Sequence, residues 1–265
     1  MASTRARPRA ATNPTATEQT GMAMTGLLER YMSSLMEGRR EQCRTMVRSA
    51  IERGVSARSL YDELLWPAIE RVDRSYRDDR IDRATEHLAT RVNRAVADHL
   101  QPNLERREPI GKRILITCAN DEPEELAAQV CADLFEAEGW DVFLLGGGVP
   151  DDEILSLVGR LQPYMLLIFG AKPTDAPGIR KLIDRLREVG PCPTMNIMVS
   201  GGVFNRAEGL WKEVQADLFA RSSAEALERA AAADPRTPEV RIPGAPKKRR
   251  RRRRPPLLVQ AEATA

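Results

Sequence analysis

Gly139-Trp140-Asp141-Val142-Phe143-Leu144-Leu145-Gly146-Gly147-Gly148-Val149-Pro150 is the stretch that decides the fold. Gly139 closes a helical pattern that runs from about Glu122 to Glu138, and Val142 to Leu145 is a four-residue apolar run of strand type. The run stops at three glycines, and Asp151 follows as a candidate cap for a helix reaching about Leu161. Helix, strand, loop and helix in that order form one turn of a βα repeat. Outward in both directions the same alternation recurs. Arg113 to Cys118, Met165 to Phe169, Met195 to Val199 and Asp217 to Phe219 read as further strands. The helices between them lie near Gly178 to Val189, in a short segment after Gly201-Gly202, and over Ala224 to Ala232. Near-continuous apolar strands separated by helices predict a five-stranded parallel sheet covered on both faces, a doubly wound flavodoxin-like or Rossmann-like domain over residues 112–234. Ligands of such sheets sit beyond the carboxyl ends of the strands.

Upstream the period changes to that of helices. Leu28, Met32 and Leu35 fall on one face, closed by Gly38; Cys43, Met46, Val47, Ala50 and Ile51 form the next, closed by Gly54. Ser56 can cap a third helix with Leu60, Leu64 and Val72 inward, in which Pro67 removes a backbone hydrogen bond and predicts a kink. Asp82 can cap a fourth, where Leu88, Val92, Val96 and Leu100 recur at helical spacing. Short connections predict antiparallel neighbours, so residues 21–105 read as a four-helix bundle cap. Residues 1–20 and 235–265 lack apolar periodicity and read as disordered.

Charge is unevenly spread. The net charge is +3, yet residues 236–265 hold ten basic side chains against Glu239 and Glu262, a tail of +8. Residues 1–20 hold +2, which leaves the body at −7. Lys247, Lys248, Arg249, Arg250, Arg251, Arg252, Arg253 and Arg254 are consecutive. Such a block stays extended and is a candidate anchor for nucleic acid or an anionic surface. It lacks aromatic interleaving for base stacking, and no helix-turn-helix precedes the bundle, so sequence-specific reading of DNA is not expected. Cys43, Cys118, Cys131 and Cys192 show no metal-ligand spacing; as small buried apolar residues they point to a reducing cytoplasm. No apolar run reaches the roughly 18 residues of a membrane span. There is no G-x-G-x-x-G at the first helix, no P-loop after Gly146 to Gly148, and no nucleophile elbow or triad. Catalysis is not the expected activity.

Taken together, Ala84-Thr85-Glu86-His87-Leu88, the Gly139-Trp140 to Val149-Pro150 stretch, Val199-Ser200-Gly201-Gly202 and Ala216-Asp217 with its alanine-rich last helix resemble the cobalamin-binding modules of methionine synthase, methanogenic corrinoid proteins and light-sensing cobalamin-dependent repressors. The resemblance spans about 210 residues, nearly all of the folded part. It implies a corrinoid or related tetrapyrrole between bundle and α/β domain. The family's Asp-x-His-x-x-Gly signature supplies an imidazole to cobalt. Glu122, Glu124 and Ala127 hold its places here, and Glu124 is a harder oxygen donor, poor at cobalt. Gly170 stands where the family has a serine for the nucleotide base, while Gly201 and Gly202 are expected to keep a slot open beside the nucleotide tail. Tyr76, ten residues before Glu86, holds the place of an aromatic lid. Glu86 and His87 are candidates for the interdomain crevice, His87 as an upper metal ligand; Gly146 belongs to the loop facing the ligand. Glu122, Glu124 and Glu125 also complement the helix dipole at the start of their helix. His99 is expected at the surface. The functional expectation is a non-catalytic sensor or regulatory protein with an unidentified protein partner. The alternatives are a ligand-free scaffold used for protein or nucleic-acid interaction, and a corrinoid carrier serving a methyltransferase.

Overall fold

The computed structural model describes residues 16–119 and 122–238. Its first part is helical: α1 (Ala16–Met36), α2 (Arg40–Glu52), α3 (Ala57–Leu60), α4 (Trp66–Arg77) and α5 (Arg83–Leu100). Helix α1 begins at Ala16, inside the span expected to be disordered, and the remaining expectations for residues 1–15 and 239–265 lie outside the described residues. Ser56 caps α3 by accepting from the Ser59 N–H at 3.0 Å, and Asp82 caps α5 by accepting from the Thr85 N–H at 2.8 Å. Between α3 and α4 the chain makes a π-helical turn, Tyr61–Leu65. This is what Pro67 does here: it has no N–H and its ring presses on the preceding turn, so the ladder widens just upstream while the rod stays continuous.

The second part alternates as expected: β1 (Arg113–Cys118), α6 (Glu122–Ala137), β2 (Asp141–Gly146), α7 (Asp151–Leu161), β3 (Met165–Phe169), α8 (Asp175–Val189), β4 (Asn196–Ser200), α9 (Gly202–Arg206), α10 (Leu210–Glu213), β5 (Leu218–Phe219) and α11 (Ser223–Ala232). All pairings are parallel, in the order β2-β1-β3-β4-β5. The strand order reverses between β1 and β3, which places the ligand-accepting crevice at their carboxyl ends. Helix α8 starts three residues earlier than its periodicity predicts. Buried Asp175 accepts from the Ala171 and Lys172 N–H groups at 3.1 and 2.8 Å, and Pro177 is tolerated because the first turn needs no N–H. Asp151 does not cap α7; Pro150 holds that position, and the Asp151 carboxylate pairs with Arg185 at 3.3 Å.

The Gly139-Trp140 pair has a packing role. Gly139 has φ +85°, and a Cβ there would run into the Glu108 carbonyl. The connection from the bundle crosses directly over this residue, bonded through Ile110 N–H to Gly139 O at 2.9 Å and Arg107 N–H to Ala137 O at 2.7 Å. Only glycine combines that backbone with that approach. Trp140 meets Phe135 and Tyr164 edge-on, at 5.3 and 5.9 Å between ring centroids, with the Lys112 ammonium over both Trp140 and Tyr164. The bundle core and the α6 side of the sheet form one continuous apolar cluster. Polar contacts stitch the two parts: Arg58 to Glu138 at 3.0 Å, Gln129 to Asp98 at 2.7 Å, and the Tyr61 hydroxyl to Asp133 at 2.7 Å.

Candidate functional site

Helix α5 shows where the site lies. It buries two faces instead of one. Ala89, Val92, Val96 and Leu100 enter the bundle core, but Leu88, expected beside them, is 56% exposed. Its place on the buried surface is taken by Glu86, Thr90 and Asn93, spaced i, i+4 and i+7 along one stripe. These three are the bundle's buried polar side chains among the described residues, at 7%, 4% and 1% exposure. All three line a cavity of about 290 Å³ between α4 and α5 on one side and the carboxyl edge of the sheet on the other.

Buried polar atoms are ordinarily hydrogen-bonded. Asn93 accepts from the Tyr31 hydroxyl at 2.7 Å, which fixes its amide carbonyl and leaves its NH₂ toward the cavity. Neither the Thr90 hydroxyl nor the Glu86 carboxylate makes a hydrogen bond among the described residues. Burial raises the Glu86 carboxyl above the usual carboxylate range, against the pull of His87, Arg83 and Lys172. Opposite this stripe the lining is apolar: Leu126 and Ala127 of α6 and Phe169 at the end of β3. Trp66, Ile69 and Val72 of α4 supply an apolar wall. The Trp66 indole N–H donates to Glu70 at 3.1 Å, which sets its ring.

The mouth is charged. Asp73 of α4 pairs with Arg77 at 3.0 Å and, across the cleft, with Arg206 of α9 at 3.6 Å. Arg206 also donates to the Ala171 carbonyl. Burial, then the neighbouring Arg77 charge, lowers the Arg206 guanidinium below its ordinary value. Asp73 and Arg206 thus tie bundle to sheet edge directly over Gly201 and Gly202.

The residues singled out in the sequence are distributed as follows. Glu86, Ala127, Gly201 and Gly202 line the cavity. Tyr76 and His87 are half-buried and stand outside its lining, where Trp66 and Phe169 are the aromatic residues. Gly146, with φ +77°, packs against Glu125, which accepts from Gly147 N–H at 3.1 Å and pairs with Arg94 of the bundle at 3.6 Å. Glu125 therefore bridges the loop after β2 and the bundle. The side chains of Glu122 and Glu124 and the run Lys247 to Arg254 lie outside the described residues. Gly170 is not open: a Cβ there would sit 2.8 Å from Ile179 and 3.4 Å from both Phe204 and Val203. Gly201 and Gly202 face the cavity, and a Cβ on Gly201 would meet the Gly170 backbone while one on Gly202 would meet the Arg206 guanidinium. His99 is exposed and the four cysteines are free and buried, as expected.

Trp66, Asp73, Arg77, Thr90, Asn93 and Arg206 went unread in the sequence. Their signal was present in part, since Glu86, Thr90 and Asn93 share a helical stripe, but a polar stripe reads as a solvated face until something covers it.

A helical cap over a doubly wound sheet, with a polar stripe turned into the crevice between them, defines a two-part ligand-binding module. Two family models, each described as a B12 binding domain, match residues 27–101 and 112–231. Together they span most of the chain, and it belongs to the B12-binding domain family. The monomethylamine corrinoid protein of Methanosarcina barkeri has a similar fold at 17% identity, covering 78% of this chain and 97% of that one with a TM-score of 0.69. A cobalamin-binding protein from Desulfitobacterium hafniense matches at 20% identity over 77% of this chain and 97% of its own, with a TM-score of 0.42. The methanol:cobalamin methyltransferase complex of Methanosarcina barkeri matches at 19% identity over 84% and 85%, also at 0.42. No curated protein sequence matches the chain. Among the described residues no helix is long and apolar enough to cross a membrane.

Proposed function

We propose that the chain is a non-catalytic regulatory protein that holds a corrinoid or related tetrapyrrole macrocycle between the bundle and the sheet edge. The observation that carries this reading is the Glu86, Thr90 and Asn93 stripe. These side chains are buried in the fold yet open onto the cavity, where a ligand's polar rim can pair with them. The chemistry of the lining suits a corrin ring. Its faces are flat and apolar enough for Leu126, Ala127 and Phe169, and its rim of amides can both donate to Glu86 and Thr90 and accept from Asn93. Among the described lining residues no imidazole faces the cavity, and Glu124 stands at the family's histidine position, so the protein's grip is on the ring and its rim.

The size of the cleft is what supports a sensing role in this reading. At about 290 Å³ it lies at the bottom of the range for pockets that enclose a small ligand, about 300–1,000 Å³. A macrocycle must part α4 and α5 from the sheet edge and break the Asp73–Arg206 tie. Occupancy would thereby alter the surface offered to a regulatory partner. The four buried free cysteines support a reducing cytoplasm, and the Lys247 to Arg254 run would add a non-specific electrostatic anchor for nucleic acid or an anionic surface. A second reading, a corrinoid carrier for a methyltransferase, draws on the fold shared with the monomethylamine corrinoid protein; the glutamate at position 124 disfavours it.

The test is reconstitution of the purified full chain with hydroxocobalamin and, separately, with diaquocobinamide, followed by desalting and absorption spectroscopy. Retention of one corrinoid per chain is expected for at least one of the two, with a change in hydrodynamic radius or trypsin sensitivity on binding. Loss of both ligands on desalting would refute the proposal. Retention without any change in shape would leave a binder and remove the sensor.

A further inference from the structure

We infer that the mouth of the cleft is a receptor for one anionic substituent, a carboxylate or phosphate carried on an arm of the macrocycle, with Arg206 as the residue that takes it. The inference rests on the corrinoid reading above and adds to it the charge of the ligand.

Three guanidiniums and three carboxylates line the cleft, but they are not matched one to one. Glu86 lies inside, where burial favours its neutral form, and Glu70 is turned to the Trp66 indole N–H. Asp73 is left to serve the mouth. Arg77 and Arg206 both reach the same oxygen of it, Oδ2, the first through Nε at 3.0 Å and the second through Nη1 at 3.6 Å. Arg74, the third guanidinium, makes no ion pair among the described residues. Arg83 and Lys172 add positive charge, both close enough to pull on the Glu86 carboxyl. The mouth is therefore short of counter-charge, in a body whose net charge is −7.

Opening the cleft worsens the shortage for one residue. Arg77 stands one helical turn from Asp73 on α4 and keeps the carboxylate when α4 parts from the sheet edge. Arg206 belongs to α9 and stays with the sheet, where the Ala171 carbonyl is its remaining partner. A half-buried guanidinium without a carboxylate is costly, because a charge withdrawn from water needs a compensating one. An uncharged ring leaves that cost in place. A ring bearing a carboxylate or phosphate replaces Asp73 on Arg206, and the planar guanidinium suits either group, since both present two oxygens to its fork of N–H donors. In the ligand-free protein Asp73 is then a resident stand-in for the ligand's anion.

The experiment is a titration of the full chain with three corrinoids in the aquocyano form, read by absorption. Cobinamide has no anionic group on its periphery, cobyric acid has one carboxylate on the corresponding arm, and cobinamide phosphate has a phosphate there. At least one of the two anionic compounds should bind about tenfold tighter than cobinamide, and which of them gains tells carboxylate from phosphate. Arg206→Gln keeps a donor for the Ala171 carbonyl but removes the charge, and should bring the ratio close to one; Arg206→Lys should keep most of it. Asp73→Asn should raise the ratio, because the competing carboxylate is gone, and it carries the test if circular dichroism shows Arg206→Gln unfolded. A wild-type preference of less than about threefold overturns the inference and leaves the corrinoid reading standing. So does a preference that Arg206→Gln leaves unchanged or that Asp73→Asn lowers. Failure to bind any of the three overturns the inference, and the corrinoid reading with it if hydroxocobalamin is lost too.

Discussion

Replacing Thr90 with valine should make the ligand-free protein more stable and a poorer binder. The exchange keeps the β-branched shape and nearly the same helix propensity, so the hydroxyl is the only group lost. Thr90 is 4% exposed, lines the interdomain cavity and makes no hydrogen bond among the described residues. A fully buried unpaired hydroxyl costs about 1–3 kcal/mol; the Thr90 hydroxyl keeps an open side on the cavity, so only part of that applies and a gain of up to about 1 kcal/mol is expected. Urea unfolding of the ligand-free chain, compared at equal m-values, measures this directly. The same variant should lose about 1 kcal/mol of ligand affinity, roughly fivefold, if the hydroxyl meets the ring's rim. A purely structural threonine would behave oppositely, costing stability and leaving binding alone. Loss of more than about 0.5 kcal/mol of stability, or unchanged ligand retention, would refute the assignment of the α5 stripe as a binding surface.

Three further outcomes are expected. Burial, reinforced by Glu136 and Asp98, raises the Asp133 carboxyl from 3.8 to about 6 against the opposing hydrogen bond from Tyr61. The fold therefore prefers the neutral acid: its contribution is full below about pH 4 and is lost as pH rises through about 6. Asp133→Asn keeps an acceptor for Tyr61 and should stabilise by roughly 1–2 kcal/mol at pH 7, discounted for partial exposure, with no gain at pH 4; a pH-independent effect in urea melts would contradict this. Gly139→Ala forces a Cβ into the Glu108 carbonyl at φ +85° and should cost about 3 kcal/mol or more, seen as a lowered thermal midpoint; an unchanged midpoint would mean the interdomain connection is free to move away. If the basic run Lys247 to Arg254 anchors nucleic acid, deleting residues 245–265 should abolish binding to duplex DNA of any sequence, and the intact chain's affinity should fall with salt at a log–log slope of about 0.9 per phosphate contacted; binding that survives deletion would locate the surface on the folded body.

Much of this protein was legible before any coordinates. The strands Arg113–Cys118 and Met165–Phe169 matched residue for residue, because a strand buried on both faces must be apolar throughout and end where glycine or a polar loop begins. The caps at Ser56 and Asp82 were readable for a similar local reason, since a helix start needs an acceptor for its free N–H groups. Even Pro67 announced its effect on the ladder, though not that the rod would stay continuous through a π turn. What depended on tertiary structure was the use of surfaces. Periodicity assigns one buried face to a helix, and so placed Leu88 inward and passed over Thr90 and Asn93, while Glu86 was singled out for the crevice through the family resemblance alone; Leu88 is exposed, and all three polar residues are buried where α5 faces the sheet edge. The glycines at 201 and 202 meant open space in the sequence, because glycine has no side chain of its own, while Gly170 was read only as lacking a hydroxyl. How much of that space remains depends on what packs there: Ile179 and Phe204, 9 and 34 residues away, pack against Gly170, and Arg206, four residues on, lies against Gly202. A residue's own chemistry sets local backbone, but the neighbours brought by folding determine whether a polar group is paired and whether a slot exists.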